Sequence, residues 1–222
     1  MPIPLRSFKS VLLALAIVLG VALVHGRGEA GPKQTAILAG GCFWCVESDF
    51  ESVPGVVSAV SGFTGGTVKN PTYKQVSRGG TGHYESVKIT FDSSKVSYDH
   101  LLDLFFRSVD PTDAGGQFCD RGPTYRTAIF YTNEAQKQAA IAAEQRAQQA
   151  LGQHIVTKLL PAGPFYKAEA YHQDYYKGRK FVLTRFGPKR QSSAYAAYRK
   201  ACGRDARVEK LWGDAAPFVG KH

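Results

Sequence analysis

The chain has 222 residues, of which 44% are hydrophobic and 21% charged, and its formal net charge is +10. This composition is typical of a globular protein with a real core, and it excludes an intrinsically disordered chain. The positive excess is concentrated in residues 177–222, which hold twelve Lys and Arg against three acidic residues. Because no nucleic-acid motif accompanies these charges, we expect a solvated basic C-terminal tail over residues 191–222 that carries Cys202.

The N-terminal residues have the pattern of an export signal. Arg6 and Lys9 precede an uncharged stretch from Val11 to Val24, which has the length of a signal-peptide core and is short for a membrane span. We therefore expect residues 1–26 to be a signal peptide or an uncleaved N-terminal anchor, followed by a linker over residues 27–34. Both alternatives place the body of the protein outside the cytoplasm, in the periplasm or anchored to the membrane and facing out.

The remaining sequence predicts alternating strands and helices. In chain order these are a strand over 34–38, a helix over 42–53, strands over 56–63 and 85–91, a helix over 98–107, a strand over 125–131, an Ala-rich helix between Asn133 and Gly152, a strand over 154–160 and a last helix over 169–179. The order β-α-β-β-α-β predicts an α+β fold with a ferredoxin-like split βαβ sandwich core, to which C-terminal helices, a strand and the tail are added. We expect the main domain to span residues 35–190, with site residues in the loops over 65–82 and 110–123.

Cys42 and Cys45 form a CxxC pair at the start of the first predicted helix. Their spacing places the two Cβ atoms about 5–6 Å apart, which is compatible with a disulfide after a small adjustment. Unpaired amides at a helix N-terminus favour an anion, so we predict Cys42 as the attacking thiolate and Cys45 as the second thiol. A static disulfide in an exported protein is the alternative. A zinc site is disfavoured, because Cys119 and Cys202 are single cysteines rather than a second CxxC pair.

Glu85 begins the apolar face of a predicted strand. Val87, Ile89 and Phe91 share its parity, whereas the residues between them point to the other face. A carboxyl group on that face loses hydration, so its pKa should rise and the group could act as a general acid near neutral pH. The alternative is a glutamate at a strand end that points into water.

Other polar residues give weaker signals. Tyr73 and Asp120 lie in the two long loops and Tyr125 opens the next strand, where all three could bind a polar ligand atom. Residues of these types more often form turns and packing contacts. His83 and His172 rank below Glu85 as acid–base groups, because a lone histidine in such a domain usually has its hydrogen bonds satisfied internally.

Five motifs in this order resemble those of the A-type peptide methionine sulfoxide reductases. They are Gly41–Glu47 (GCFWCVE), Asn70–Tyr73 (NPTY), Gly82–Glu85 (GHYE), Asp120–Arg126 (DRGPTYR) and Ala168–Asp174 (AEAYHQD). The resemblance runs from residue 35 to 177, and more loosely through residues 202–207 to 212–213. Many members of that family have Gly where this chain has Cys45, and others carry the cysteine.

The resemblance implies an enzyme that reduces methionine S-sulfoxide, in proteins and as the free amino acid. It assigns the nucleophile to Cys42, the acid that protonates the sulfoxide oxygen to Glu85, the hydroxyls that hold that oxygen to Tyr73 and Tyr125, a carboxylate near the site to Asp120, and the pocket for the substrate methyl group to Phe43 and Trp44. It implies no metal or cofactor, a sulfenic acid on Cys42, and an intramolecular disulfide that an external thioredoxin-like dithiol reduces.

Several alternatives remain open at this point. We favour Cys45 as the resolving thiol, but family members also use C-terminal cysteines, so a relay through Cys202 is the second option. Cys119 is expected to be a packed thiol. A thioredoxin-like thiol–disulfide oxidoreductase would also carry CxxC at a helix start, and a non-enzymatic exported domain could be stapled by Cys42–Cys45. The expected partners are oxidised proteins or peptides and the dithiol reductant, without nucleic acid, and the protein is expected to be a monomer.

Overall fold

A six-stranded mixed sheet organises the residues that the computed structural model describes, which are 31–185 and 187–221. The prediction of a signal peptide or anchor lies outside the described residues. In chain order the strands are β1 (Lys33–Gly40), β2 (Val56–Thr64), β3 (Tyr84–Asp92), β4 (Gly116–Gln117), β5 (Asp120–Arg121), β6 (Thr127–Tyr131), β7 (Lys158–Pro161), β8 (Tyr166–Lys167), β9 (Phe181–Thr184) and β10 (Gly187–Arg190).

The sheet has the strand order β7-β6-β1-β3-β2-β8, and two hairpins, β4–β5 and β9–β10, lie outside it. The pairs β6–β1, β1–β3, β3–β2 and β2–β8 are antiparallel, whereas β7 pairs with β6 in parallel. This order places β3 between β1 and β2, which confirms the predicted split βαβ core.

Six α-helices accompany these strands in the part of the chain that is described. They are α1 (Phe43–Glu51), α2 (Tyr73–Ser77), α3 (Tyr98–Phe106), α4 (Glu134–Leu151), α5 (Gln191–Ala201) and α6 (Arg204–Trp212). Ser97 and Asn133 accept amide hydrogen bonds at the starts of α3 and α4, as the sequence predicts. Helix α2 lies in the loop over 65–82 and begins with a capping box of Thr72 and Gln75. None of the described helices combines the length and hydrophobicity needed to cross a bilayer.

The core lies on both faces of strand β1. Ala36 and Leu38 belong to the main cluster, which includes the apolar sides of α1 and α3, whereas Ile37 and Ala39 belong to a second cluster on the opposite face. A strand that is covered on both faces is apolar at every position instead of alternating. Glycine is required at position 41, where φ is +81° and a Cβ atom would lie 2.5 Å from Gln117 Cβ. The turn into α1 is therefore pressed against strand β4.

The prediction of a last helix over 169–179 is wrong. The structure has two short 3₁₀ turns there, Ala170–His172 and Tyr175–Lys177. Asp174 separates them in the left-handed conformation, with φ +55°, and its amide donates to Glu47 Oε1 at 2.8 Å. The hydrogen bond to the Glu47 carboxylate holds Asp174 in this conformation, so the chain does not continue as a helix here.

The basic C-terminal residues form packed helices and not a solvated tail. Helices α5 and α6 bury Tyr195, Arg199, Arg204 and Val208 against the rest of the protein. The sequence shows the charges of these arginines but not the acidic and carbonyl partners that allow them to be buried. The last part of the chain therefore contributes to the core.

Candidate active site

Cys42 precedes helix α1, and Glu85 lies beside the first turn of that helix. The backbone N–H of Phe43 donates to Glu85 Oε2 at 3.0 Å. Cys42 accepts amide hydrogen bonds on its carbonyl oxygen from Cys45 at 3.1 Å and from Val46 at 3.4 Å. The structure therefore brings the predicted nucleophile and the predicted acid to the same helix terminus.

Glu85 is only 2% exposed, in line with its parity on strand β3. Burial raises the pKa of this carboxyl group to about 8, although the Phe43 amide hydrogen bond acts in the opposite direction. The negative charge of Asp120 adds to the upward shift. The predicted burial of Glu85 is confirmed, and a pKa raised in this way favours the protonated acid at neutral pH.

Cys42 and Cys45 are both free, buried thiols. Burial raises the pKa of Cys42 well above its ordinary value, and the hydrogen bond with Cys45 and the charges of Glu85 and Asp120 raise it further. The pKa of Cys45 is lowered, first by the hydrogen bond with Cys42 and then by the positive charges of Arg204 and Arg199. The expectation that the helix terminus makes Cys42 the more acidic thiol is wrong, because burial, the hydrogen bond with Cys45 and the nearby carboxylates of Glu85 and Asp120 all raise its pKa.

Aromatic side chains form one wall beside the thiols. The rings of Phe43 and Tyr73 stack with centroids 6.1 Å apart, and those of Trp44 and Tyr175 stack at 3.9 Å with nearly parallel planes. Burial raises the pKa of the Tyr73 hydroxyl, and Glu85 and Tyr125 contribute to that shift. The predicted aromatic residues, the two predicted tyrosines and the acid therefore surround the same place.

His172 belongs to this wall, although sequence reasoning ranks it below Glu85. Its Nδ1 accepts a hydrogen bond from Trp44 Nε1 at 3.2 Å, and its ring lies 5.1 Å from that of Phe43 and 4.2 Å from that of Tyr73. Burial lowers the pKa of His172 to about 4, so the ring is neutral at physiological pH. His172 holds the Trp44 indole in place and does not supply a proton.

His83 has its hydrogen bonds satisfied within the protein. Its Nδ1 accepts from the Gly66 amide at 3.1 Å, and its Nε2 lies 2.7 Å from the carbonyl oxygen of Val68. Both contacts tie strand β3 to the loop that follows β2. This confirms the expectation that His83 ranks below Glu85.

Asp120 is contacted by a residue that the sequence did not single out. The hydroxyl of Tyr198, on helix α5, donates to Asp120 Oδ2, and the Tyr198 ring meets Trp44 edge to face with centroids 6.3 Å apart. Burial raises the pKa of Asp120, while the Tyr198 hydrogen bond acts against that shift. Helix α5 thus contributes a wall to the site, which could be found only from the three-dimensional fold.

Cys119 is bonded to Cys202, with their Cα atoms 4.9 Å apart. The expectation that Cys119 is a packed free thiol is wrong, because the C-terminus of α5 brings Cys202 against the β4–β5 hairpin. Cys202 is the second candidate for the resolving thiol. In this structure its sulfur is bonded to Cys119, whereas Cys42 and Cys45 pack together with Tyr195.

Glu47 is a further buried carboxyl group on α1. It accepts hydrogen bonds from the Ser61 hydroxyl on β2 and from the Asp174 amide. Burial raises the pKa of Glu47 to about 7. These contacts fasten α1 to the segment that carries His172.

Among the described residues, no group of three or more His, Cys, Asp or Glu side chains is arranged to hold a metal ion.

Comparison with known families gives one consistent result. The family described as peptide methionine sulfoxide reductase matches residues 34–214 of this chain. A protein of Caulobacter vibrioides named peptide methionine sulfoxide reductase MsrA 2 is 44% identical over 206 residues, which cover 92% of this chain and 99% of that protein. A Rhizobium meliloti protein of the same name is 50% identical over 188 residues, covering 85% of this chain and 88% of that protein.

Solved structures agree with the sequence comparison. Methionine sulfoxide reductase A of Corynebacterium diphtheriae is similar with a TM-score of 0.61 at 34% identity, covering 68% of this chain and 76% of that chain. The reduced form of Mxr1 from Saccharomyces cerevisiae is similar with a TM-score of 0.63 at 29% identity, covering 65% of this chain and 84% of that chain. These similarities favour a sulfoxide reductase over a thioredoxin-like protein or a non-enzymatic domain.

Proposed function

The chain belongs to the peptide methionine sulfoxide reductase family, and on that basis we propose that Cys42 and Glu85 together carry out the reduction of the sulfoxide. The protein is a thiol-dependent oxidoreductase that converts methionine sulfoxide to methionine. The observation that carries the assignment of residues is the 3.0 Å hydrogen bond from the Phe43 amide to Glu85 Oε2. It fixes a protonated acid next to the residue that bears the thiol.

The protons of the first step balance without any external acid. The sulfur of Cys42 attacks the sulfoxide sulfur and forms a bond to it, while Glu85 gives its proton to the sulfoxide oxygen and the thiol proton of Cys42 goes to Glu85. The hydroxyl then moves to the Cys42 sulfur as the new sulfur–sulfur bond and the sulfur–oxygen bond of the substrate break, which leaves methionine and a sulfenic acid on Cys42. The raised pKa values of Cys42 and Glu85 support this starting state, in which both groups are protonated.

The neighbouring aromatic residues suit the two ends of the sulfoxide. The hydroxyls of Tyr73 and Tyr125 would donate hydrogen bonds to the oxygen, and Asp120 lies close to the same site. Phe43 and Trp44 offer an apolar surface for the methyl group of the substrate. We assign selectivity for the S epimer to three directions fixed around the sulfur, toward the oxygen site, the methyl site and the Cys42 thiol.

Cys45 is the proposed resolving thiol. It attacks the sulfur of the Cys42 sulfenic acid, which releases water and forms the Cys42–Cys45 disulfide. The hydrogen bond between the two thiols and their shared burial support this order. An external dithiol of the thioredoxin type then reduces the disulfide by thiol–disulfide exchange.

Cys45→Ser should form about one methionine per enzyme and then stop when a thioredoxin-type dithiol is the reductant. The reason is that the sulfenic acid on Cys42 lacks its nearest thiol. The measurement is methionine formed per enzyme over time, with Cys202→Ser as the matched variant, which should keep cycling. Continued turnover of Cys45→Ser together with arrest of Cys202→Ser would make Cys202 the resolving thiol.

The function as a whole is tested by a stoichiometric reaction without recycling reductant. One methionine should form per enzyme, and the free thiols counted under denaturing conditions should fall from two to none. Peptide mapping should place the new disulfide between Cys42 and Cys45. Methionine formation without any loss of thiols would contradict the proposed chemistry.

We infer an exported protein that acts on oxidised proteins and peptides as well as on free methionine sulfoxide, as a monomer. The basic and apolar pattern of residues 1–26 supports export. Cell fractionation should recover the protein outside the cytoplasm, and deletion of residues 1–26 should leave it inside. Retention of the full-length chain in the cytoplasm would contradict the inference.

A further inference from the structure

A buried charge cluster lies beside the second thiol. Asp49 follows Cys45 by four residues and therefore lies on the same side of α1. Its Oδ1 accepts a hydrogen bond from Arg199 Nη1 at 2.8 Å. The same Nη1 lies 3.1 Å from the Tyr195 hydroxyl, and Tyr195 packs against both thiols of the CxxC pair. Arg199 therefore contacts two neighbours of the thiols, the Asp49 carboxylate on the same helix and the Tyr195 hydroxyl.

Arg204 approaches the pair from its N-terminal side. Its Nη1 donates to the carbonyl oxygen of Gly40 at 3.1 Å, and its Nη2 donates to that of Ser108 at 3.0 Å. Its Nε lies 3.9 Å from Asp49 Oδ2. Arg204 is only 1% exposed, and its guanidinium group is held against the segment that leads into the CxxC motif.

The charges in this cluster do not cancel within the protein interior. Two buried guanidinium groups, of Arg199 and Arg204, face one fully buried carboxylate, that of Asp49. Asp205 also pairs with Arg199, but a third of its side chain is exposed, so water screens its charge. Asp120 also interacts with Arg204, but burial raises its pKa and thereby favours its neutral form. The two buried guanidinium groups therefore favour a further anion nearby.

We propose that Arg199 and Arg204 are positioning residues for the second half of the catalytic cycle, and that their buried positive charge stabilises Cys45 as a thiolate. The proposal rests on the roles proposed above for Cys42 and Cys45. The ionisable groups that interact electrostatically with Cys45 are Cys42, Asp49, Glu85, Tyr195, Tyr198, Arg199 and Arg204. The lowered pKa of Cys45 is in the direction that this arrangement requires.

The stabilised thiolate serves two steps. In resolution, the Cys45 thiolate attacks the sulfur of the Cys42 sulfenic acid; the sulfur–oxygen bond breaks, Glu85 gives a proton to the departing hydroxide, and water leaves. In reduction, a thiolate of the external dithiol attacks the Cys42 sulfur, and Cys45 leaves with the electron pair of the disulfide bond. The second thiol of the reductant then releases Cys42. A thiol with a lower pKa leaves more readily, so the same charge favours both steps.

The redox equilibrium of the Cys42–Cys45 pair with dithiothreitol tests the proposal. Arg204→Met removes a positive charge and should shift the equilibrium constant about tenfold toward the disulfide, the effect of about one pKa unit. Asp49→Asn removes the opposing negative charge and should shift it toward the dithiol. A purely structural role of the Arg204–Asp49 ion pair would move both variants in the same direction.

Alkylation followed by peptide mass spectrometry measures the oxidation state of Cys42 and Cys45 separately from that of the Cys119–Cys202 pair. Arg207→Met is the matched control on α6, because Arg207 is partly exposed and pairs with Asp110; it should match the wild type. Arg204→Lys keeps the charge and should also match it. If Arg204→Met does not fold by circular dichroism, Arg199→Met takes its place. Equal or parallel shifts in the charge-removing variants would overturn the proposal. The equilibrium needs no sulfoxide, so its result is independent of the single-turnover test of function.

Discussion

Cys42→Ser should form no detectable methionine from methionine sulfoxide, even in a single turnover without recycling reductant. A serine hydroxyl is a far weaker nucleophile than a thiol at neutral pH and cannot accept the oxygen as a sulfenic acid. The experiment mixes the variant with an equimolar amount of methionine sulfoxide and measures methionine together with free thiols. The Cys45 thiol should remain free in this variant.

The control for this result is the double variant Cys119→Ser/Cys202→Ser. It removes the other two cysteines of the chain and leaves Cys42 and Cys45 in place. The double variant should still form one methionine per enzyme in the first turnover. Methionine formation by Cys42→Ser would transfer the nucleophilic role to another thiol and would contradict the proposed mechanism.

Glu85→Gln should lower the single-turnover rate by about 10²–10⁴-fold, the range for loss of a general acid. The substitution keeps the size of the side chain and an oxygen that can accept the Phe43 amide, so the geometry of the helix terminus is conserved. It removes only the proton that the sulfoxide oxygen needs. The measurement is the rate of methionine formation after rapid mixing, with the fold checked by circular dichroism.

The pH dependence separates this acid role from a packing role. Because burial raises the pKa of Glu85 to about 8, the acid is protonated below that pH and its contribution is lost as pH rises through it. The wild-type rate should therefore fall above about pH 8, and the Gln variant should lack this fall. An unchanged alkaline fall in Glu85→Gln would assign the titration to another group.

The central fold could be predicted from the sequence because its patterns are local. Strand β3 alternates between two faces, and its parity alone places Glu85 with Val87 and Ile89 on the buried side. The helices α3 and α4 have capping residues that mark where they start. The segment around Asp174 could not be predicted in this way, because its conformation is set by a hydrogen bond to Glu47, which is 127 residues away along the chain.

Some residues of the candidate site could likewise be predicted from local motifs, and others only from the fold. The CxxC pair and Glu85 lie in short motifs, so the sequence identifies them and the structure brings them together. Tyr198 and Arg199 come from helix α5, where their aromatic and charged side chains are typical of a solvent-exposed face, so the sequence does not show that they reach the site. The sequence also mispredicts the acidity of Cys42, because the burial of this thiol and the carboxylates around it are set by the tertiary fold and cannot be read from the local pattern.

The Cys119–Cys202 bond closes a covalent loop across 83 residues of sequence. A protease that cuts one exposed peptide bond inside this loop would produce two fragments that stay attached to each other. Helix α5, with Tyr198 and Arg199, would thus remain tethered to the domain after such a nick. That linkage would keep a nicked enzyme in one piece and so extend its working lifetime.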